Sequence, residues 1–242
     1  MARLISLNVE RSKHLDRFIP FLKAQTPDIV CLQELTADDI PRIQSATGLA
    51  HCHYAPMAVH PLDRKTFGAG ILARKPFWKT DGVMYAGTGE GTLLFDRSSP
   101  ESRLETCRYV VAMVDLTVAG HLLTVGTTHF PWTPDGHSRP FQTEAVQAMT
   151  AALRDAPIIL TGDFNAPRGG AVFAEMARVW RDCVPPDVTT SLDPQLHRAG
   201  PLDLMVDGIF ASHHFRVDDV RLHTGVSDHQ ALSADVSRAS GT

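Results

Sequence analysis

The sequence is poor in the features that let a chain fold or bind without a packed core. Its 242 residues include only four cysteines, Cys31, Cys52, Cys107 and Cys183, with no CxxC pair among them. That excludes a disulfide framework and leaves reduced, mostly buried thiols, as expected of a cytoplasmic protein. Charge of one sign is equally scarce. Twenty-three Lys and Arg against 27 Asp and Glu give a net −4, so no global positive field exists to hold a polyanion nonspecifically. A tail-driven nucleic-acid binder is excluded, although a local basic cleft is not. No uncharged apolar run approaches the ~18 residues that crossing a bilayer takes, so membrane insertion is not expected. The apolar stretch Leu4–Leu7 runs at once into Asn8, Glu10, Arg11 and Lys13, too short and too polar for a signal peptide. The 17 Gly and 16 Pro are scattered, without repeat or linker, which rules out a low-complexity or disordered chain.

What is present is a globular composition, 43% hydrophobic and 21% charged, on a length that favours one layered domain over residues 1–242. Short β-type runs bounded by turn residues recur: Leu4–Leu7, Ile29–Gln33, Gly70–Ala73, Tyr109–Leu116, Leu122–Thr128, Pro157–Thr161, Leu204–Ala211 and Ala231–Val236. Leu15, Phe18, Ile19 and Leu22 repeat at helical spacing, with Pro20 expected in the first turn, and Ala145, Met149, Ala152 and Leu153 do the same. A sheet stacked on a sheet with helices outside uses all of these elements. A simple βαβ repeat needs many more helices. Residues 87–106, with Glu90, Asp96, Arg97, Glu101, Arg103 and Glu105, are expected to form a long surface loop, and 185–201 a second irregular stretch.

Polar residues gather at the ends of apolar strands, where a rigid backbone aims a side chain that still reaches solvent. In Leu4-Ile-Ser-Leu-Asn8-Val-Glu10 the period of two puts Asn8 and Glu10 on one face. Asp28-Ile-Val-Cys-Leu-Gln-Glu34 is an apolar strand that stops on a carboxylate, a natural ligand for a hard cation such as Mg²⁺. His129 closes Leu122-Leu-Thr-Val-Gly-Thr-Thr-His129. In Ile158-Ile-Leu-Thr-Gly-Asp163-Phe-Asn165, Gly162 relieves the backbone and the strand period again sets Asp163 beside Asn165, unless the segment is an Asx turn. Ser227-Asp228-His229 follows 20 residues after Asp207, which can orient His229 if the fold brings them together. Metal carboxylates, two histidines, an Asp/Asn pair and an orienting Asp make up the inventory of a phosphoester hydrolase.

In their order along the chain, Asn8 in LNVE, Glu34 in LQE, His129 in TTH, Asp163 and Asn165 in GDFN, Asp207 in VDGIFAS and the closing SDH at 227–229 resemble the endonuclease/exonuclease/phosphatase superfamily, the DNase I-like proteins. The resemblance spans residues 4 to 236. It implies an α+β, four-layer α/β/β/α sandwich, two mixed sheets face to face with helices outside. It also implies Mg²⁺-dependent attack of water on a phosphoester, with Mn²⁺ as a substitute. Glu34 is then the principal metal ligand, with Asn8, Asp228 and Glu10 around the ion. Asp163 and Asn165 position the water and contact the phosphate, and His129 and His229, the latter held by Asp207, contact the non-bridging oxygens. Two departures stand out: Gly208 where the family usually has an aromatic or His after the Asp, and His129 where abasic-site nucleases have Tyr.

Several readings compete. The substrate is a small-molecule or a nucleic-acid phosphoester, and for a DNA nuclease Arg64, Lys65, Arg74 and Lys75 form the one basic cluster in the sequence, otherwise a solvated face. Asp203 competes with Asp207 as the orienting carboxylate, but the Ile-Phe-Ala-Ser after Asp207 favours Asp207. A vestigial binding protein would have no reason to keep the whole acidic set. A zinc enzyme is suggested by His51-Cys-His53 and His213-His214, yet no spacing matches a structural zinc site.

Overall fold

Alternation along the strands decides which side chains face which layer. In β1 (Ala2–Asn8) Leu4 joins one apolar cluster while Ile5 and Leu7 join another, as a period of two requires. The same split runs through β2 (Ile29–Thr36), where Ile29 and Cys31 face one way and Val30 and Leu32 the other. The computed structural model, which describes residues 1–89 and 91–239, arranges its strands in two mixed sheets of six.

The first sheet runs β11 (Phe215–His223), β12 (Ala231–Arg238), β1, β2, β4 (Thr66–Ala73), β3 (His51–Val59). The second runs β5 (Phe77–Gly87), β6 (Arg108–Val118), β7 (His121–His129), β8 (Ile159–Asp163), β10 (Asp207–Ala211), β9 (Arg181–Asp182). Leu4, Ile29 and Ile71 of the first sheet pack against Val114, Val125 and Ile159 of the second in one core between them. On the far side of the first sheet, Phe18 and Leu22 of α1 (Leu15–Gln25) and Ile43 of α2 (Ile40–Thr47) cover Ile5, Val30 and Leu32. Val146 and Met149 of α4 (Pro140–Leu153) and Phe173 and Met176 of α5 (Ala171–Ala177) cover Leu160 and Phe210 of the second. The result is the four-layer α/β/β/α sandwich expected from the sequence. Among the described residues no helix is long and apolar enough to cross a membrane.

The strands absent from the sequence reading are β3, β5, β9 and β11, and these are the four edge strands. An edge strand shows water one side and one face, so it loses the apolar signal that marks a central strand. β11 carries Arg216, Asp218, Asp219 and Arg221 in nine residues, and β3 includes His51, His53 and Pro56. The expected loop at 87–106 contains a short helix, α3 (Pro100–Thr106), capped by Ser99, whose hydroxyl accepts from the Ser102 N–H at 3.0 Å. Glu90 lies outside the described residues. Pro20 sits well inside α1 rather than in its first turn. It lies on the exposed face together with Asp16, so the carbonyl that lacks a Pro20 N–H partner faces solvent.

Candidate active site

Each strand face that turns toward the opposing sheet is apolar at mid-strand and polar at the same end. On β1 the run is Leu4, Ser6, Asn8. On β7 it is Leu123, Val125, Thr127, His129, and on β8 Ile159, Thr161, Asp163. The ladder sets the last residues side by side: His129 pairs with Asp163 across the parallel β7–β8 register, and Asp207 pairs with Asp163 across β8–β10. The first sheet brings Asn8 from β1, Glu34 from β2, and Asp228 and His229 from the turn before β12. Just beneath, Gln33 Nε2 donates to Thr127 Oγ1 at 2.8 Å and ties the sheets together. All nine residues picked out from the sequence line one cavity except Asp207, which lies behind His229. The cavity has a volume of about 490 Å³, within the range typical of small-ligand sites.

Three of these residues are aimed by left-handed turns rather than by strand alternation. Glu34 was expected where β2 stops, but β2 continues to Thr36 through a bulge between Leu32 and Leu35, with Glu34 at φ 53°. Simple alternation puts Glu34 with Val30 and Leu32 under the helices; the bulge redirects it into the cavity. Asn165 lies beyond the end of β8 at φ 47°, and its N–H donates to Asp163 Oδ1 at 2.8 Å, so the Asx turn, not the period of two, sets the pair together. Asn165 Nδ2 also donates to the Phe130 carbonyl at 2.8 Å. Glu10 likewise follows the end of β1 at φ 44°, its N–H on Asn8 Oδ1 at 3.0 Å. Left-handed backbone at non-glycine residues costs on the order of 1–3 kcal/mol each and tends to gather where function demands it. Gly162 is required because a Cβ there would lie 2.4 Å from the Thr128 carbonyl oxygen, whereas at Gly208 a Cβ would be in tight contact with the Phe164 and Phe210 rings at 3.1 Å.

Asp163 is the electrostatic centre. It is buried, and Asn8 Nδ2 donates to its Oδ2 at 3.0 Å, while the Nε2 atoms of His129 and His229 stand 3.5 and 3.8 Å from the same oxygen. Burial works to raise its carboxyl, but the charges of His229 and His129 outweigh it and hold Asp163 below the usual carboxylate range. The same partners raise both histidines: burial favours neutral rings, and Asp207 with Asp163 for His229, or Asp163 with Glu34 for His129, overcomes it. His229 Nδ1 lies 2.8 Å from Asp207 Oδ2. Asp203 is exposed and lies before the start of β10, so Asp207 is the orienting carboxylate.

Around Glu34 the balance is different. Asp228 is pushed up to about 6 by burial and by the charges of Glu10 and Glu34, against the pull of His229. Carboxylates that repel one another in a half-buried pocket, with Asn8 beside them, form a hard oxygen set that fits a divalent cation such as Mg²⁺. Glu10, His14 and Asp228 bring ligand atoms within 4.8 Å of one another. Glu10 is already engaged by Lys13 Nζ at 2.8 Å and His14 Nε2 at 2.9 Å, which leaves Glu34 and Asp228 with the less compensated charge.

The cavity also holds residues that the sequence did not point to: Arg97, Arg103, Trp132, His197 and Arg198. They come from loops and α3, where no strand periodicity marks them. The four basic residues considered for DNA do not form one patch: Arg64 and Lys65 precede β4, Arg74 and Lys75 follow it, roughly 25 Å apart at strand rise. Arg74 Nε donates to the Pro27 carbonyl at 2.9 Å and Lys65 pairs with Asp38 at 3.7 Å. Of the histidines that suggested zinc, His51 stands edge-on to Phe77 and His213 packs at a tilt against His214, and none of the three lines the cavity.

Comparison with known proteins gives the family and the fold. Residues 5–229 match the model of the Endonuclease/Exonuclease/phosphatase family. Among similar solved structures are the human Nocturnin catalytic domain with bound sulfate (TM-score 0.72, 15% identity, covering 98% of this chain and 93% of that one) and the mannosyl-6-phosphatase Bt3783 of Bacteroides thetaiotaomicron (0.67, 15%, 98% and 100%). A third is TDP2 of D. rerio complexed with a single-strand DNA product (0.68, 17%, 98% of both chains). At these identities the likeness is one of fold. A search of curated protein sequences finds no match.

Proposed function

The chain belongs to the endonuclease/exonuclease/phosphatase family, and on that premise we propose that it is a Mg²⁺-dependent hydrolase of phosphoesters, with Mn²⁺ able to replace Mg²⁺. The observation that carries this reading is the convergence on Asp163: two histidines, an amide and an Asx turn around one buried, ionised carboxylate that lines a cavity whose other wall is acidic.

Glu34 and Asp228, with Asn8 and the more compensated Glu10, would hold the ion. When bound it supplies charge neutralisation at the phosphate oxygens. The protein's own residues do the rest. Asp163, kept ionised, accepts a hydrogen bond from the attacking water and aligns it on phosphorus, and Asn165 is held beside it by its own N–H. His229 and His129, both biased toward the cationic form, present Nε2 to the non-bridging oxygens, where negative charge builds as the P–O bond to the leaving group breaks. Asp207 fixes His229 through Nδ1 and so leaves Nε2 free for the substrate.

The geometry favours a compact phosphoester over long duplex DNA, because the basic pairs flanking β4 are separated. A reduced, cytoplasmic setting suits the four free thiols. Chelation followed by re-addition of metal tests the reading. Turnover of bis(p-nitrophenyl) phosphate is expected to return with Mg²⁺ or Mn²⁺; return with zinc alone overturns it.

A further inference from the structure

Arg97, Arg103 and Arg198 line the same cavity as Asp163 and His229. Among the described residues none of the three forms an ion pair or a hydrogen bond with a carboxylate, in contrast to Arg11, which lies 3.3 Å from Asp63. Arg103 is half-buried and is held by rings instead of by an anion: its guanidinium carbon lies 4.3 Å from the centroid of Trp132 and 5.6 Å from that of Phe95. Aromatic faces fix a guanidinium in place without neutralising it, and its N–H fork remains available. Burial lowers its pKa, and Arg97 and Arg198 lower it further, so each of the two is near enough to repel Arg103, while the charge of Glu34 reaches Arg103 in the opposite sense. Arg198 comes from the loop whose His197 ring stands edge-on to His229 with centroids 6.4 Å apart. Three guanidiniums without an ion-pair partner thus line the cavity that also holds His229 and the acidic wall.

Holding like charges together in the free protein is unfavourable unless an anion is to be received there. The catalytic phosphate already has its own contacts in His129, His229 and Asn165. From this we infer that Arg97, Arg103 and Arg198 form a second anion subsite that receives a further phosphoryl group on the substrate, apart from the phosphate that is cleaved. The substrate class is thereby narrowed to phosphoesters with at least two phosphoryl groups, since guanidiniums match phosphate geometry in bidentate fashion. The inference rests on the hydrolase reading for which phosphate is cleaved, but not for the existence of the subsite.

Calorimetry separates the two. In an Asp163→Asn background with Mg²⁺, to slow turnover, adenosine 3′,5′-bisphosphate is expected to bind about tenfold or more tightly than either adenosine monophosphate, the scale of a charge-assisted contact. Arg103→Gln should abolish that preference. Arg97→Gln/Arg198→Gln should abolish most of it without disturbing packing, because both residues are exposed. Arg154→Gln, an equal charge loss at the end of α4 and outside the cavity, should keep it. Equal affinity for bisphosphate and monophosphates, or a preference that survives in both arginine variants, overturns the subsite. The dinucleotide pdApdA distinguishes the source: tighter binding than the bisphosphate assigns the second phosphate to a nucleic-acid strand, weaker binding to a compact molecule. If an arginine-dependent preference appears but wild-type protein with Mg²⁺ hydrolyses neither bis(p-nitrophenyl) phosphate, p-nitrophenyl phosphate nor adenosine 3′,5′-bisphosphate, the subsite stands and the hydrolase reading falls.

Discussion

Asn8 and Asp163 end strands in different sheets, and the Asn8 amide donates to the Asp163 carboxylate at 3.0 Å across the gap between them. Both are buried. The bond couples the strand end proposed to face the ion in one sheet to the strand end proposed to align the water in the other. Asn8→Ala removes a donor from a buried acceptor, and the expected stability loss is about 1–3 kcal/mol. Because the freed carboxylate also loses its orientation, turnover should fall by more than that stability loss alone explains. Urea unfolding and kinetics on the same sample check the two effects. An unchanged turnover rate with an intact fold would mean that the sheets hold Asp163 in place without Asn8.

Glu34→Gln should remove most activity with the fold preserved, since a half-buried side chain on a bulge contributes charge to the site and little to packing. The measurement is turnover against Mg²⁺ concentration. Near wild-type turnover at limiting Mg²⁺ would show that Glu34 is not the principal ligand.

The central strands and the residues at their ends are legible in the sequence because burial on both faces leaves long apolar runs, and because Asn8, His129, Asp163 and Asp207 each end or begin one. Alternation even assigns their direction: Asn8 continues Leu4 and Ser6, and Asp163 continues Ile159 and Thr161. The edge strands are not legible, for the opposite reason. Nor is the aim of Glu34, Glu10 and Asn165, which depends on left-handed turns at residues other than glycine. Propensity disfavours those turns, and only the surrounding contacts enforce them. The arginine group is not legible for a third reason: Arg97, Arg103 and Arg198 are about a hundred residues apart at the extremes and reach the cavity from loops and the short helix α3, which carry no strand periodicity.

His229→Ala should slow the chemical step strongly and Asp207→Asn less, since the first removes the group proposed to contact the phosphate and the second loosens the 2.8 Å contact that orients it. Asp203→Asn should be near wild type, because Asp203 is exposed. Single-turnover rates rank the three. A larger loss for Asp203→Asn than for Asp207→Asn would reverse the assignment.

Metal binding should depend on pH through Asp228. Its folded value of about 6 lies above the ordinary 3.8, so without metal the unfolded chain ionises first as pH rises. Stability is therefore lost between about pH 4 and 6, the reverse of a salt-bridged carboxylate. A divalent cation removes the repulsion that raises Asp228, so Mg²⁺ should increase the melting temperature more at pH 7.5 than at pH 5. Asp228→Asn should shrink that difference. Equal Mg²⁺ shifts at both pH values in the wild type would place Asp228 outside the metal set.

Asp163→Asn keeps the shape of the side chain but can no longer accept the water's proton or attract His129 and His229. Turnover should fall by a factor on the order of 10²–10⁴, the usual worth of a positioned base. Affinity for substrate should change little or improve, because a negative charge near the phosphate is gone. The structure sharpens what the pH profile must show. Asp163 is held below the usual carboxylate range by two histidines, so its protonation cannot cause a loss of rate between pH 5 and 7. A rate loss there in the wild type belongs to another group, and it should persist in Asp163→Asn at the lower rate. Single-turnover measurements from pH 4.5 to 9 decide the matter. If the acidic limb disappears in Asp163→Asn, Asp163 titrates in the neutral range during the reaction and the histidines do not hold it ionised. If the limb disappears in His229→Ala instead, the histidine moves the proton and Asp163 orients the water.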